Sequence, residues 1–269
     1  MIRLPAVAGQ FYPASPRELS SLIHRFLKEN EETQKVRVRA CVVPHAGYAY
    51  SGHVAAAVFS RIAIPKKIIV IGVRHQPRGE ALAIVSDGAW RTPLGDAPID
   101  RALALRLRAA CPTLQEDHVA HSREHSLEVE IPFLQEMQPE FTFVPLAIGS
   151  TKWQELVRVG EGVAEVLSGS EEEILLVTSS DMNHYEEEEI TRRKDQRAIE
   201  CMLRVDARGL YEVCQRERIS MCGLGPAIVT LTALKRLQVK SGELLKYATS
   251  GELSGDYDAV VGYAGIIFR

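Results

Sequence analysis

Three short apolar runs in this chain each end at a turn that carries histidine, the commonest metal ligand in proteins. Each run is typical of a buried strand, and open α/β sheets bind ligands outside the carboxyl ends of their strands. The three turns would therefore bring imidazole and carboxylate groups from distant positions into one cleft, which indicates a metal site. The runs are 39–43, 67–71 and 174–177, and the side chains that follow them are His45, His75, Asp181 and His184.

His45 and His75 are the first candidates for metal ligands. Pro44 ends the strand before His45, and a glycine in the same turn lets the backbone approach a ligand closely. Either histidine alone is more typical of a turn residue that hydrogen-bonds to the backbone. The pair favours a shared ion because the two turns are expected to follow neighbouring parallel strands, which lie about 4.8 Å apart.

Asp181 and His184 add a hard oxygen and a third imidazole in a single turn. Asp181 has three open roles: direct metal ligand, partner that orients an imidazole, or cap of the following helix. His184 suits a general acid or base, because the unperturbed pKa of histidine lies nearest neutrality.

Cys222 is the cysteine whose setting indicates function. It precedes a glycine-rich turn, 223–226, that opens a helix, and a helix N-terminus favours the thiolate form of a nearby thiol. Such a thiolate suits a metal ligand or a nucleophile. The other cysteines are expected to be small buried hydrophobic residues, namely Cys41, Cys111, Cys201 and Cys214.

The segment His121 to His125 formally matches the H-x-x-E-H arrangement of inverzincins, which requires a helix through both histidines. Pro132, seven residues beyond His125, instead indicates that a helix starts here and that His121 lies outside it. We therefore predict that His125 is a further cleft residue, which either supports a metal-ligating side chain or contacts the substrate. His118 and His121 are expected on the surface.

The elements that must position these residues follow a βαβ pattern. Ser15 to Glu18 form a capping box with proline at the first helical position, which predicts the first helix ahead of the polar stretch 28–35. Residues 39–75 are typical of a strand, a helix and a parallel strand. Further strands are expected at 81–85, 141–148, 173–177, 244–249 and 259–268, further helices at 51–59, 99–110, 151–167, 186–203 and 225–237, and turns at 91–96 and 250–256.

This pattern predicts one α/β domain over residues 1–269, with a central, mostly parallel sheet flanked by helices. The composition, with 46% hydrophobic and 25% charged residues, is typical of a globular protein. A net charge of −3 gives no electrostatic surface for nucleic acid or for an anionic membrane. Neither is expected as a partner.

Five cysteines without a C-x-x-C pair argue against a disulfide framework and fit a reducing cytoplasm. The first residues contain no apolar region of the kind found in signal peptides, and no uncharged run approaches the roughly 18 residues of a membrane span. A cytoplasmic location is therefore expected.

Several motifs, in order from the start near Ala8 to the last strand, together resemble the Memo family. They are Pro44-His45-Ala46-Gly47-Tyr48, Gly72-x-x-His75, Thr92-Pro93-Leu94-Gly95, Glu124-His125-Ser126-Leu127-Glu128, Ser179-Ser180-Asp181-x-x-His184, Cys222-Gly223 and Val261-Gly262-Tyr263-Ala264.

The resemblance implies a fold similar to class III extradiol ring-cleaving dioxygenases. His45 and His75 would match the two histidine ligands of those enzymes, His184 the acid/base histidine, and Cys222 would stand in place of their glutamate ligand. A His₂Cys set is softer than two histidines with a carboxylate, so it suits copper or zinc as well as Fe²⁺. Arg74 departs from the family pattern and could bring positive charge toward an anionic substrate.

Bacterial members of the family are called AmmeMemoRadiSam system protein B. The resemblance therefore implies a radical SAM protein and an AMMECR-like protein of the same system as partners, and a small molecule or a peptide as ligand.

The leading hypothesis is a metal-binding protein that holds iron or copper through His45, His75 and Cys222 and performs redox chemistry on a small molecule. Three catalytic or supporting residues, Asp181, His184 and His125, would surround the metal and move protons. One alternative is a cleft that binds a ligand or peptide without chemistry. Another is a hydrolase, either zinc-dependent or with Cys222 as nucleophile, His184 as base and Asp181 orienting it.

Overall fold

Strands and helices alternate along most of the chain, as the βαβ pattern predicts. The computed structural model describes residues 1–30 and 34–269. The strands are β1 (Ile2–Arg3), β2 (Ala40–Val43), β3 (Lys67–Val73), β4 (Leu82–Ile84), β5 (Ala89–Thr92), β6 (Gly95–Pro98), β7 (Gln115–Glu116), β8 (Thr142–Ile148), β9 (Ile174–Ser179), β10 (His184–Glu186), β11 (Gly242–Thr249) and β12 (Val260–Phe268). The helices are α1 (Pro16–Glu29), α2 (Tyr48–Arg61), α3 (Arg101–Ala110), α4 (His118–His121), α5 (Ile131–Met137), α6 (Trp153–Ser168), α7 (Glu188–Leu203), α8 (Ala207–Glu217), α9 (Leu224–Arg236) and α10 (Gly251–Ser254).

Apolar runs form the parallel centre of the main sheet, because its strands are covered by helices on both faces. Within the described residues this sheet has nine strands in the order β10-β12-β2-β9-β3-β8-β4-β7, and β11 pairs with β12. The four strands β2, β9, β3 and β8 are parallel, while β12 and β4 join them antiparallel. One core packs against α1, α2 and α5, and the other packs against α3 and α6 to α9. The predicted α/β fold is confirmed as a mixed sheet flanked by helices.

The strand order corrects one expectation about the site. β2 and β3 are not neighbours, because β9 lies between them and pairs in parallel with both. Ser179 at the end of β9 is opposite Val43, and Thr178 is opposite Ile71. The three turns that carry histidine therefore follow three consecutive strands, at their carboxyl ends, with the β9 turn between the other two.

The first helix begins as predicted. The Ser15 side chain accepts a hydrogen bond from the backbone N–H of Glu18 at 3.4 Å, Pro16 opens the helix, and Leu19 and Ile23 are fully buried. Residues 31–33 of the polar stretch after this helix lie outside the described residues. None of the described helices is long and apolar enough to cross a membrane.

The predicted turn at 91–96 is the tip of a hairpin whose strands the sequence analysis missed. β5 and β6 pair antiparallel around it, and β1 pairs in parallel with β5 to complete a small second sheet. Trp90 of β5 is 1% exposed and packs edge-on against Phe143 of β8 at 5.5 Å. Strands of four residues, such as β5 and β6, are too short for their apolar and polar residues to show a recognisable alternation. The predicted turn at 250–256 contains the short helix α10.

The close contact of Gly223 with Ser180 gives a test of how the site is packed. A Cβ on Gly223 would lie 2.2 Å from the Ser180 Cβ, and Ser180 is fully buried. We expect Gly223→Ala to push the loop after β9 away from the start of α9 and to lower the free energy of unfolding by about 1–3 kcal/mol in urea denaturation. Gly169→Ala is the control, because its Cβ would meet no atom closer than 3.4 Å. Equal losses in the two variants would contradict this packing.

Candidate metal centre

A cleft of about 930 Å³ opens where the carboxyl ends of β2, β9 and β3 meet. The site residues that the sequence predicts all line it, although they come from five separate segments. His45 follows β2, His75 follows β3, and His125 lies in the loop before α5. Asp181 and His184 follow β9, and Cys222 precedes α9.

His45, His75 and His125 form the tightest group of possible ligands among the described residues. Each offers one ligand nitrogen, and these atoms lie within 4.8 Å of one another. The His75 and His125 rings stack with centroids 4.5 Å apart, and the His45 ring stands edge-on to them at 5.3 and 5.5 Å. This three-histidine cluster could hold a metal ion.

The tautomer of His45 is set by a buried chain of hydrogen bonds. The Ser179 hydroxyl donates to the Ser126 carbonyl at 2.5 Å, since a carbonyl can only accept. The same oxygen lies 3.0 Å from the Glu130 carboxyl, a second acceptor, and 2.8 Å from Nδ1 of His45. The hydroxyl has a single proton, which these oxygens take up, so Nδ1 of His45 must donate to it. Burial raises the pKa of Glu130 well above its usual range, and the hydrogen bond from Ser179 opposes this. His45 therefore carries its proton on Nδ1 and leaves Nε2 unprotonated.

His75 is fixed in the same way by Glu124. The Glu124 carboxylate accepts from Nδ1 of His75 at 2.8 Å, from the His75 backbone N–H at 2.6 Å and from the Ser126 N–H at 2.9 Å. Burial opposes ionisation of Glu124, but these hydrogen bonds lower its pKa to about 2. A carboxylate that holds Nδ1 and leaves Nε2 free is typical of histidine at metal sites.

Burial favours the neutral form of two of these imidazoles, those of His45 and His125. Burial, with the neighbouring His125 and His75, lowers the pKa of His45 well below its usual range. Burial also lowers the pKa of His125 to about 4, although Glu124 opposes this. The half-buried Phe11 ring covers His125 at 4.8 Å. Neutral imidazoles can bind a cation without first losing a proton.

Cys222 lies at the edge of the histidine cluster. Its Sγ is 3.2 Å from Nε2 of His45 and 3.6 Å from the Asp181 carbonyl oxygen. Burial and the Asp181 carboxylate raise the pKa of the Cys222 thiol well above its usual range. The helix N-terminus therefore does not produce the thiolate that the sequence predicts, because burial outweighs the dipole. A bound divalent cation would displace the thiol proton.

Asp181 holds the backbone of the His45 turn. Its Oδ1 accepts from the His45 N–H at 2.8 Å, and its Oδ2 lies 4.0 Å from His45 Nε2. Burial raises the pKa of Asp181 to about 7, and the N–H donors of His45 and Ala46 oppose this. The predicted alternative of a helix cap is wrong, because α7 begins after Glu187 and β10 intervenes.

His184 presents a basic nitrogen to the cleft. Its Nδ1 lies 3.1 Å from the Ser220 carbonyl and so carries the proton, while its backbone N–H donates to the Ser220 hydroxyl at 2.8 Å. Asn183 accepts from the Ser220 backbone N–H at 3.0 Å and keeps the two loops together. Burial lowers the pKa of His184, while hydrogen bonds to the backbone of Met182 and Ser220 oppose this.

His121 and the H-x-x-E-H segment differ from expectation. His121 is 1% exposed rather than on the surface, and its Nδ1 donates to the Asp117 carbonyl at 2.8 Å. It ends the four-residue helix α4, so no helix carries both histidines of the motif. Arg3 donates to the carbonyls of His121 and Glu124 at 2.7 Å, which closes the segment into a loop. His118 is exposed, as predicted.

Arg74 does not act as the sequence suggests. Its Nη1 donates to the carbonyls of Arg78 and Gly79, at 3.2 and 2.6 Å. Among the described residues that line the cleft, Arg74 is absent. The expected positive charge therefore does not reach the site.

Three residues that support the cluster were missed from the sequence: Glu124, Ser179 and Glu130. Each is at most 1% exposed. The sequence did contain a signal for the two glutamates: acidic residues stand at 124, 128 and 130 within a largely apolar segment. Carboxyl groups buried in such a segment need hydrogen-bond partners, so they are candidates to hold nearby polar side chains. Glu128 belongs to the same run and accepts from Arg3, from the Tyr12 hydroxyl and from two backbone N–H groups.

Comparisons with known proteins agree with this architecture. A sequence model of Memo-like proteins matches residues 3–267. The MEMO1 family protein MK0963 of Methanopyrus kandleri is 41% identical over 281 residues, which cover 100% of this chain and 99% of that protein. A MEMO1 family protein of Aquifex aeolicus is 40% identical over 268 residues, which cover 99% of each chain.

A solved structure also shares the fold. The crystal structure of the uncharacterized protein JW3007 from Escherichia coli K12 matches with a TM-score of 0.54 and 16% identity, over 86% of this chain and 100% of that one. At that identity the likeness concerns the α/β fold alone, and it is consistent with the dioxygenase-like fold that the resemblance implies. With a match along nearly its whole length, the chain belongs to the Memo family. The roles of the individual site residues stay predictions.

Asp195 of α7 anchors the loop that carries Asp181 and His184. It is fully buried and accepts from the Asn183 backbone N–H at 2.8 Å and from the Tyr247 hydroxyl at 2.7 Å. Burial raises the pKa of Asp195 from 3.8 to about 7. The folded chain therefore binds this proton more tightly than the unfolded chain, and the contribution to stability is lost as pH rises between these two values.

We expect Asp195→Asn to remove this pH dependence, because the amide does not titrate. Between about pH 4 and pH 7, the decline in unfolding free energy with pH should become shallower by up to about 1.4 kcal/mol per pH unit. Urea denaturation across this range measures it. Asp258→Asn, at an exposed position, is the control and should leave the slope unchanged. An unchanged slope in Asp195→Asn would show that Asp195 titrates normally.

Proposed function

We propose that this protein is a metal-dependent oxidoreductase that acts on a small molecule, with Fe²⁺ or copper held by His45, His75 and Cys222. The observation that carries the proposal is the pair of fixed tautomers. Nδ1 of His45 and Nδ1 of His75 each donate to a buried acceptor, which leaves both Nε2 atoms available as ligands. Zinc remains the alternative metal.

The donor set fits such a metal. Neutral imidazoles suit iron, copper and zinc, and a thiolate adds preference for the softer ions. Cys222 lies close enough to His45 for one ion to contact both groups, and its proton would leave when the ion binds. A bound iron or copper would supply the capacity for one-electron transfer.

Residues around the cluster would handle protons. His184 can accept a proton at Nε2, because its Nδ1 is committed to the Ser220 carbonyl. Asp181, whose pKa is raised to about 7 by burial, can exchange a proton near neutral pH. Phe11 packs on His125 and limits water on that side of the cleft.

Metal content after anaerobic purification tests the proposal. We expect about one iron or copper per chain, and at least a tenfold weaker affinity for the metal in His45→Ala and His75→Ala, because each variant removes a ligand. His118→Ala, which alters an exposed histidine outside the cleft, should bind normally. A native protein that never takes up metal, or one that retains full affinity without His45 and His75, would refute the proposal.

Cobalt substitution of the same protein identifies the third ligand. Cys222→Ala should abolish a thiolate-to-cobalt charge-transfer band, while His125→Ala should retain it if His125 is only a neighbour. If His125→Ala loses the metal and Cys222→Ala keeps it, the ligand set is instead the three-histidine cluster.

The hydrogen bond from His75 to Glu124 predicts a further effect. Glu124→Gln places an amide N–H₂ against the N–H donors of His75, so the imidazole loses its fixed orientation. We expect a 10- to 100-fold loss of metal affinity with the fold intact, as measured by competition with a chelator and by circular dichroism. Glu136→Gln, a carboxyl on α5 remote from the cluster, is the matched control. Unchanged affinity in Glu124→Gln would show that this carboxylate does not prepare the site.

A second candidate is a binding cleft without chemistry. It is favoured by the aromatic side chains at the cleft mouth, where Tyr50 is 42% and Tyr185 76% exposed. Oxygen consumption by the metal-loaded protein with candidate small molecules separates the two functions, since a pure binding cleft consumes none.

A further inference from the structure

The outer part of the cleft has an unusual charge distribution. Among the described residues that line it there is no lysine or arginine, and the carboxyl groups are those of Asp181 and Asp256. Asp181 is buried beside His45, whereas Asp256 is exposed at the mouth. The Asp256 Oδ1 accepts from the Asp258 backbone N–H at 3.0 Å. A ligand entering this cleft therefore meets negative charge first.

Three tyrosines surround the same outer region. Tyr50 lies in the first turn of α2, Tyr185 in β10 and Tyr263 in β12, and all of them line the cleft. Burial raises the pKa of Tyr263, and Asp181, Tyr50 and Tyr185 raise it further. Phenol rings and their oxygens present electron-rich surfaces.

Tyr185 is held toward the cleft by an uncommon backbone conformation. Its φ is 59°, in the left-handed region that non-glycine residues rarely adopt. The pairing of β10 with β12 shifts register between His184 and Glu186, so Tyr185 is the extra residue of a bulge. Bulges redirect side chains, and backbone strain of this kind collects at ligand sites.

We infer that the outer cleft is a binding site for an organic cation, such as the alkylammonium group of a small amine. The ammonium would lie against the ring faces of Tyr50 and Tyr185 and near the Asp256 carboxylate, where cation–π attraction and charge act together. This inference deepens the proposed function, since the other end of the same molecule would approach the histidine cluster. An anionic group would lack the arginine or lysine that usually binds it.

Three phenols of similar size but different charge test the inference by calorimetry: tyramine, para-ethylphenol and para-hydroxyphenylpropionate. Each is titrated into the full chain, in both a metal-free and a zinc-loaded form. We expect tyramine to bind about tenfold more tightly than para-ethylphenol, and the propionate most weakly in the metal-free form. Equal or tighter binding of the propionate to the metal-free chain, or no measurable binding of tyramine, would overturn the inference.

Two variants connect the preference to the named residues. Asp256→Asn should weaken tyramine about threefold to fivefold and leave para-ethylphenol unchanged, and Tyr185→Leu should weaken tyramine more than para-ethylphenol. Asp258→Asn is the matched control, because Asp258 is exposed nearby but does not line the cleft. An unchanged tyramine preference in both Asp256→Asn and Tyr185→Leu would overturn the cation site.

Metal content of the same samples separates this inference from the proposed function. A normal metal content without an amine preference refutes the cation site alone. An amine preference in a protein that never loads metal refutes the proposed oxidoreductase alone.

Discussion

Ser179 and Glu124 each accept a hydrogen bond from Nδ1 of a cleft histidine, and the availability of both Nε2 atoms depends on these two bonds. The bonds persist because buried polar groups must find partners: Ser179 has one proton to give, which it gives to Ser126. His45 must then donate from Nδ1. Without these bonds, each imidazole could carry its proton on Nε2, and that N–H group could not bind a cation.

Topology brings these pairs together. Because β9 lies between β2 and β3, Ser179 at its end reaches His45 on one side, while the loop of Glu124 closes over His75 on the other. Arg3 and Glu128 tie that loop to the first residues of the chain. The histidine cluster is therefore positioned by the central sheet and supported by the N-terminal segment, so packing changes far from the histidines can move them.

The sequence predicts the strand ends, the capped first helix and the set of cleft residues, since apolar runs and turn residues are local signals. It does not predict that β9 separates β2 from β3, because strand order depends on packing between distant segments. The same limit explains why Glu124, Ser179 and Glu130 were missed. Their hydrogen bonds to the histidines depend on burial and on contacts between distant segments, which the sequence does not show. His121 was wrongly predicted on the surface for a similar reason, because Arg3, which is distant in sequence, hydrogen-bonds to its carbonyl and His121 is buried. Cys222 was placed correctly in the cleft, but burial reverses the expected shift in its pKa.

The proposed site consists of two preset imidazoles that hold a metal through Nε2. A crystal structure of the iron-loaded protein, with anomalous data collected at the iron edge, tests it most directly. We expect one strong peak bonded to Nε2 of His45 and Nε2 of His75, with Nδ1 of His45 still hydrogen-bonded to Ser179 and Nδ1 of His75 to Glu124. A peak bonded through Nδ1, or one away from these histidines, would contradict it.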